Sequence, residues 1–224
     1  MLVINGLHAS DATSGGRAYL LEGPMECVLI DTGAPDGTLG VGQLIGAAGR
    51  QPHEVRLILL THAHRGHAGN AAELRRLTGA RLAASADTAR LLRTAGGAEA
   101  GGRSLLGGRR LPWPSEPIRV DEILEPGQVL QLAGGIEVLD APGHAPGALA
   151  FHCYGPNALV TGDAVSVERR TGRMVAPARR YCAHPATAAE TVRRLAGVGA
   201  RVIAPGHGRA TVDGKLPVRQ WGPH

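Results

Sequence analysis

Short apolar runs alternate with turn residues along the whole chain, and they predict strands and helices in both halves. Runs of strand length are bounded by Gly, Pro and Asn, whereas longer segments carry apolar residues at helical spacing. The predicted strands cover residues 1–7, 17–22, 26–30, 55–60, 81–84, 118–120, 129–132, 136–139, 148–153, 158–161 and 201–204. The predicted helices cover residues 38–48, 69–78, 86–94 and 185–197. Because both kinds of element occur throughout, the pattern predicts a mixed α/β (α+β) fold.

Three histidines follow the apolar run at 57–61, at positions i, i+2 and i+5. If the strand continues extended, His62 and His64 project from the same side of the chain, because strand side chains repeat every two residues. His67 follows after a turn, at the start of the next predicted helix. Two imidazoles on one side can bind one metal ion, so this cluster predicts a metal site.

Other residues of the types that bind metals also stand at the ends of predicted strands. These residues are Asp31, His144, Asp163 and His207. Strand ends are where an α/β scaffold gathers a site from distant parts of the sequence. We therefore expect these side chains to join the histidine cluster.

The composition predicts one globular domain spanning residues 1–224. Aromatic residues make up only 3% of the chain, so the core must consist mainly of Leu, Val, Ile and Ala. The net charge is +5, but the arginines are scattered singly and in pairs without interleaved aromatics. This distribution argues against a nucleic-acid partner and is compatible with a small anionic substrate.

The three cysteines are widely spaced and form no CxxC motif, which is typical of a protein of the reducing cytoplasm. Residues 1–16 lack the pattern of a signal peptide, and no apolar stretch approaches the roughly 20 residues that span a bilayer. We therefore expect a cytoplasmic protein with no membrane partner.

Two segments carry no interpretable motif. Residues 96–117 form a long loop rich in Gly and Pro, which is either a substrate-contacting lid or an inert insertion. Residues 209–224 form a polar tail.

Five short motifs, in this order, resemble those of the metallo-β-lactamase superfamily. They lie at residues 29–33, 61–67, 141–147, 161–164 and 205–208. The resemblance implies a four-layer αββα sandwich with metal ions at one edge. Similar proteins include glyoxalase II-like thioesterases, lactonases, β-lactamases and persulfide dioxygenases. Since family members are often dimers, the resemblance is also compatible with a homodimer.

The resemblance further implies a role for each motif residue. The first metal would bind His62, His64 and His144, and Asp163 would bridge to a second metal. His67 and His207 would complete that second site, and Asp31 would hold the histidine loop. Asp163 would act in catalysis together with a metal-bound water. The implied cofactor is zinc, one or two ions per chain with the first held more strongly, and iron is an alternative.

The chain departs from the superfamily at one position, because Gly66 stands where the motif has an aspartate. The second site therefore loses a charged ligand and should bind its metal more weakly. Arg65 cannot replace the carboxylate, because a guanidinium is a permanent cation without a lone pair to donate. Arg65 could instead attract an anionic substrate at the rim.

Three functions are compatible with this departure. The first is a metal-dependent hydrolase of an activated acyl bond, such as a thioester or lactone. The second is a mononuclear iron oxygenase like the persulfide dioxygenases, with His62, His144 and Asp163 as its two-histidine, one-carboxylate set. The third is a metal-binding family member with little or no turnover. The sequence does not identify the substrate.

Overall fold

The computed structural model describes residues 1–10, 15–35, 37–94, 117–168 and 174–212. The predicted loop at 96–117 lies outside the described residues except for Pro117. Of the predicted polar tail, residues 209–212 are described and residues 213–224 lie outside.

The first sheet has seven strands in sequence order. They are β1 (Leu2–Ile4), β2 (Leu7–Ala9), β3 (Tyr19–Glu22), β4 (Cys27–Ile30), β5 (Val55–Leu59), β6 (Arg81–Ala84) and β7 (Glu122–Ile123). Strands β1 to β4 pair antiparallel, whereas β4 to β7 pair parallel. The ends of β4 and β5 therefore lie side by side at one edge of the sheet.

The second sheet and a small ribbon are built from the rest of the chain. Their strands are β8 (Val129–Leu130), β9 (Ile136–Asp140), β10 (Leu149–Cys153), β11 (Ala158–Gly162), β12 (Ser166–Val167), β13 (Met174–Val175), β14 (Val202–Pro205) and β15 (Thr211–Val212). The second sheet has the order β15-β14-β11-β10-β9-β8, and β12 pairs with β13 alone. Because β11 and β14 are parallel, their ends also meet at one edge.

The helices follow strands, as the spacing of apolar residues predicts. They are α1 (Thr38–Ala47), α2 (Arg65–Ala68), α3 (Ala71–Thr78), α4 (Ala86–Leu92) and α5 (Pro185–Ala196). Short 3-10 helices cover Pro52–Glu54 and Arg179–Tyr181. The hydroxyl of Ser85 caps α4 by accepting a hydrogen bond from the backbone N–H of Thr88. Within the described ranges, none of these helices is long and apolar enough to cross a bilayer.

The buried side chains form three layers, which makes the fold a four-layer αββα sandwich. In β4, Val28 and Ile30 face the core between the two sheets, while Cys27 and Leu29 face α1, α3 and α4. The central layer also holds Phe151, the only phenylalanine of the chain. The third layer lies between the second sheet and α5. The fold expected from the sequence is therefore confirmed.

The structure differs from the predicted elements in a few short segments. The predicted strand at 1–7 is interrupted at Gly6, which has a φ of 81° and allows the turn between β1 and β2. Residues 118–120 are not a strand, because the nearby backbone N–H groups of Ile118 and Asp121 donate to Leu92 and Leu82 individually. The helix predicted at 69–78 is α3, which begins at Ala71, and a separate short helix, α2, precedes it.

Candidate metal centre

The predicted metal-type side chains meet at the edge where the ends of both sheets converge. Asp31 follows β4, and His62 and His64 follow β5. His144, Asp163 and His207 come after β9, β11 and β14 of the second sheet. The two halves are joined here by a hydrogen bond from the Leu149 N–H to the Thr61 carbonyl at 2.8 Å.

The histidine cluster itself differs slightly from its predicted conformation. Strand β5 ends at Leu59, so His62 and His64 lie in the loop that follows. His67 lies inside the short helix α2, and its N–H donates to the His64 carbonyl at 2.9 Å. The loop nevertheless turns the three imidazoles toward one region, with ring centroids of His62 4.6 Å from His64 and 4.3 Å from His67.

A first group contains His62, His64, His144 and Asp163, one ligand atom of each lying within 4.8 Å of the others. Nε2 of His144 lies 3.0 Å from Nδ1 of His64 and 3.4 Å from Oδ2 of Asp163. Nε2 of His62 lies 3.9 Å from the same carboxylate oxygen. Three imidazoles and a carboxylate are a suitable donor set for a zinc ion.

A second group contains His67, Asp163 and His207. Nε2 of His67 lies 3.1 Å from Oδ1 of Asp163, and Nε2 of His207 lies 3.4 Å from the same atom. Asp163 thus turns one oxygen toward each group. Among the described residues, no fourth histidine, cysteine or carboxylate joins this second group.

Several of the converging atoms are buried without a hydrogen-bond partner. They include Nε2 of His62, Nε2 of His67 and Oδ1 of Asp163. Buried polar atoms are nearly always hydrogen-bonded, so atoms that converge on a common point without bonding one another fit a cation between them. Both groups therefore have the chemistry of metal sites.

Asp31 and Thr61 orient two of these imidazoles. Asp31 accepts hydrogen bonds from the Thr61 N–H at 2.8 Å, the Thr61 hydroxyl at 2.8 Å and Nδ1 of His67 at 2.7 Å. Oγ1 of Thr61 lies 3.0 Å from Nδ1 of His62, so it accepts from that nitrogen once its own proton goes to Asp31. In the neutral form of each ring, the Nε2 lone pair is therefore left free for a ligand. Thr61 is not among the predicted site residues, although its position directly before His62 is a signal in the sequence.

Asp31 adopts a backbone conformation that residues other than glycine rarely adopt. Its φ is 59°, in the left-handed region, where a non-glycine residue costs about 1 kcal/mol. The hydrogen bonds that its carboxylate accepts from Thr61 and His67 offset this strain. Such strain often occurs at functional sites.

The electrostatics separate the histidines into two classes. Burial, together with neighbouring imidazoles, lowers the pKa of His62 well below its usual range and that of His64 to about 4. Burial would also lower the pKa of His67, but the carboxylates of Asp163 and Asp31 raise it to about 10. Burial opposes ionisation of Asp163, yet His67 and His207 hold the pKa of its carboxyl well below the usual value. The first group therefore offers neutral imidazoles, the form that binds metal.

Most of the chain matches one known protein family. The family model of the metallo-beta-lactamase superfamily matches residues 13–207. The chain belongs to the metallo-β-lactamase superfamily.

Solved structures of this superfamily resemble the chain over most of its length. A metallo-β-lactamase family protein from Thermus thermophilus is 26% identical, with a TM-score of 0.70 over 96% of this chain and 77% of that one. The Rm3 metallo-β-lactamase is 26% identical, with a TM-score of 0.68 over 90% of this chain and 75% of that one. A HARLDQ-motif mutant of a metallo-β-lactamase from Cronobacter sakazakii is 25% identical, with a TM-score of 0.68 over 93% and 79% of the two chains.

Gly66, at the position where the resemblance implies an aspartate, offers no side-chain ligand to the second group. A Cβ built at Gly66 lies 3.2 Å from the Gly16 backbone nitrogen and 3.6 Å from Cα of Gly15. Arg65, on the preceding position, is exposed at the start of α2. The site thus has four donors in its first group and three in its second.

Gly16 allows the backbone to pass directly against the His67 ring. A Cβ on Gly16 would lie 2.5 Å from Nε2 and 2.8 Å from Nδ1 of His67, too close for any real contact. We expect Gly16→Ala to displace His67 and weaken binding of the second Zn²⁺ by at least about tenfold, while the first changes little. Competition with a chromogenic chelator measures both affinities.

Gly40→Ala is the matched control for this substitution. A Cβ on Gly40, in α1, meets no atom within 4 Å. The control should bind Zn²⁺ like the wild type and be slightly more stable, because alanine favours a helix by roughly 0.5–1 kcal/mol over glycine. Unchanged binding of both ions by Gly16→Ala would contradict the role assigned to His67.

Proposed function

We propose that the chain is a metal-dependent hydrolase of an activated acyl bond, such as a thioester or a lactone, with zinc in the first group. The observation that supports this most directly is the convergence of three imidazoles and one carboxylate, with ligand atoms within 4.8 Å of one another. Three histidines that leave a position open to water are a common arrangement of catalytic zinc.

When bound, zinc supplies a Lewis acid and lowers the pKa of its water to about 7. The chain's own residues orient the attacking water. Asp163 remains ionised at neutral pH because His67 and His207 stabilise its charge, so its carboxylate can accept a hydrogen bond from an attacking water and orient it. His207 is the most exposed side chain of the site, at 58%, which indicates that a substrate enters on its side.

The position of His64 favours a hydrolytic zinc site over an iron oxygenase. The oxygenase alternative uses His62, His144 and Asp163 as a two-histidine, one-carboxylate set. Nδ1 of His64 lies 3.0 Å from Nε2 of His144, so the first group has a third imidazole. The second group, with two histidines and one carboxylate, has the composition of the oxygenase set. Metal analysis tests directly whether the chain holds iron.

We further propose that the substrate is a small anion. Arg65 is exposed directly after His64. The 3-10 helix Arg179–Tyr181 is tied to the site, because the Ala183 N–H donates to the His144 carbonyl at 3.1 Å. The guanidinium of Arg180 stacks over the Tyr181 ring at 4.6 Å. Exposed cations at the rim of a site attract anions and raise their local concentration.

Metal analysis of the full-length chain, purified without added metal, is the first test of this function. We expect about one tightly held zinc per chain and a second that is only partly filled, because the second group has one donor fewer. Hydrolysis of thioesters and lactones should depend on that zinc and be lost after chelation.

Three results would change the assignment. Two full equivalents of zinc would contradict the weakened second site. Iron, with oxygen uptake on glutathione persulfide, would favour the oxygenase. A full complement of zinc without hydrolysis of any acyl substrate would favour a metal-binding protein that has lost turnover.

A further inference from the structure

His207 is held less firmly by packing than the other histidines of the site. Its side chain is 58% exposed, whereas those of His62 and His67 are 1% exposed. It lies after the end of β14, and the following Gly208 has a φ of 91°. Some other contact must therefore fix the position of its imidazole relative to Asp163.

The backbone around His207 is fixed by Tyr19, the first residue of β3, and by Arg17, two positions before that strand. The Arg17 N–H donates to the Gly206 carbonyl at 2.8 Å, and Nε of Arg17 donates to the Gly208 carbonyl. The hydroxyl of Tyr19 donates to the Pro205 carbonyl at 2.7 Å. Arg17 and Tyr19 thus bind the carbonyls on both sides of His207.

The guanidinium of Arg17 also binds a nearby residue of its own N-terminal segment, Ser10. Nη1 of Arg17 donates to the Ser10 carbonyl, while the Ala18 N–H donates to the Ser10 hydroxyl at 2.9 Å. A guanidinium is planar and presents its donors in a fixed fork, so it can hold two carbonyls at a set separation. An ammonium on a flexible stem cannot impose that geometry.

We propose that Arg17, assisted by Tyr19, is a positioning residue for the second metal group. By holding the carbonyl of Gly208, Arg17 sets where the imidazole of His207 stands relative to Asp163 and His67. This inference rests on the proposed metal-dependent function and adds a residue that touches neither metal nor substrate. Because the second group has three donors, misplacing one of them should weaken it markedly.

Zn²⁺ titration of the full-length, chelator-treated chain tests this role, with competition against a chromogenic chelator. Arg17→Met removes the donors, Arg17→Lys keeps the charge without the fork, and Tyr19→Phe removes one hydrogen bond. We expect both Arg17 variants to bind the second Zn²⁺ about 10- to 100-fold more weakly and the first within about threefold of wild type. Tyr19→Phe should have a smaller effect in the same direction.

Arg50→Met is the matched control, since Arg50 is a half-buried arginine that binds the Gly23 carbonyl and Glu54 away from the site. It should lower the unfolding temperature and leave both Zn²⁺ affinities unchanged. The double variant Arg17→Met with His207→Ala should bind Zn²⁺ like His207→Ala alone, because the two residues act on one ligand.

Several outcomes would overturn the inference. Equal weakening of both Zn²⁺ ions by Arg17→Met, or additive effects in the double variant, would show a general structural role. Wild-type chain that binds only one Zn²⁺ at saturation would overturn it while leaving the hydrolase proposal intact. A wild-type chain that binds no Zn²⁺ would contradict both.

Discussion

Asp163→Asn should weaken zinc binding in both groups, most of all in the second, and lower hydrolysis strongly. Oδ2 of Asp163 lies 3.4 Å from Nε2 of His144, and Oδ1 lies 3.1 Å from Nε2 of His67. An amide of the same shape supplies only one oxygen, carries no charge and directs an N–H donor at one of the groups. If bound zinc contributes several kcal/mol of transition-state stabilisation, the fraction of the variant that has lost it turns over on the order of 1,000-fold more slowly.

Elemental analysis and thioester or lactone hydrolysis measure this effect together. Asp140→Asn is a suitable control, because Asp140 is an exposed carboxylate at the end of β9 and belongs to neither group. The control should retain metal and activity. Asp163→Asn chain that retains a full complement of zinc in both groups would contradict the bridging role.

Gly66→Asp is expected to have the opposite effect and to raise both metal content and activity. The new Cβ meets the Gly16 nitrogen at 3.2 Å, so the backbone at Gly16 must move by a few tenths of an ångström to accommodate it. The φ of Gly66 lies outside the left-handed region, so an aspartate is not strained there. A charged oxygen added to a three-donor group should tighten the second Zn²⁺ by at least about tenfold.

Gly66→Asn distinguishes the effect of the aspartate's charge from the effect of its volume. It should occupy the same space and improve Zn²⁺ binding much less than aspartate, because the amide carries no charge. Zn²⁺ titration and hydrolysis are measured for both variants beside the wild type. If Gly66→Asp gains neither metal nor activity, the second group is already complete, or the chain is not a hydrolase.

Much of the site could be predicted from local sequence because its ligands stand at the ends of apolar runs. The spacing of His62, His64 and His67 predicts a shared metal, and the structure places all three in the two groups. Short apolar runs bounded by turn residues predict the longer strands of both sheets, because strands such as β4, β11 and β14 are buried along their whole length. Strands of two residues, such as β12 and β13, carry too few positions to show any period.

The contacts that orient the ligands could not be predicted in this way. Arg17 and Gly208 are 191 positions apart, and Tyr19 and Pro205 are 186 apart. No local pattern encodes a hydrogen bond between a side chain and a carbonyl at such a distance. The left-handed backbone of Asp31 was equally hidden, because an aspartate at a strand end usually marks only a turn.

Each metal group contains residues that follow strands of both sheets, and this arrangement affects the stability of the fold. His62, His64 and His67 follow the first sheet, whereas His144, Asp163 and His207 follow the second. An ion held by either group is therefore a cross-link between the two halves of the chain, as a disulfide would be in an oxidising compartment. Each bound ion would then stabilise the packing of the two sheets at this edge. Catalysis and the stability of the fold would depend on the same few side chains.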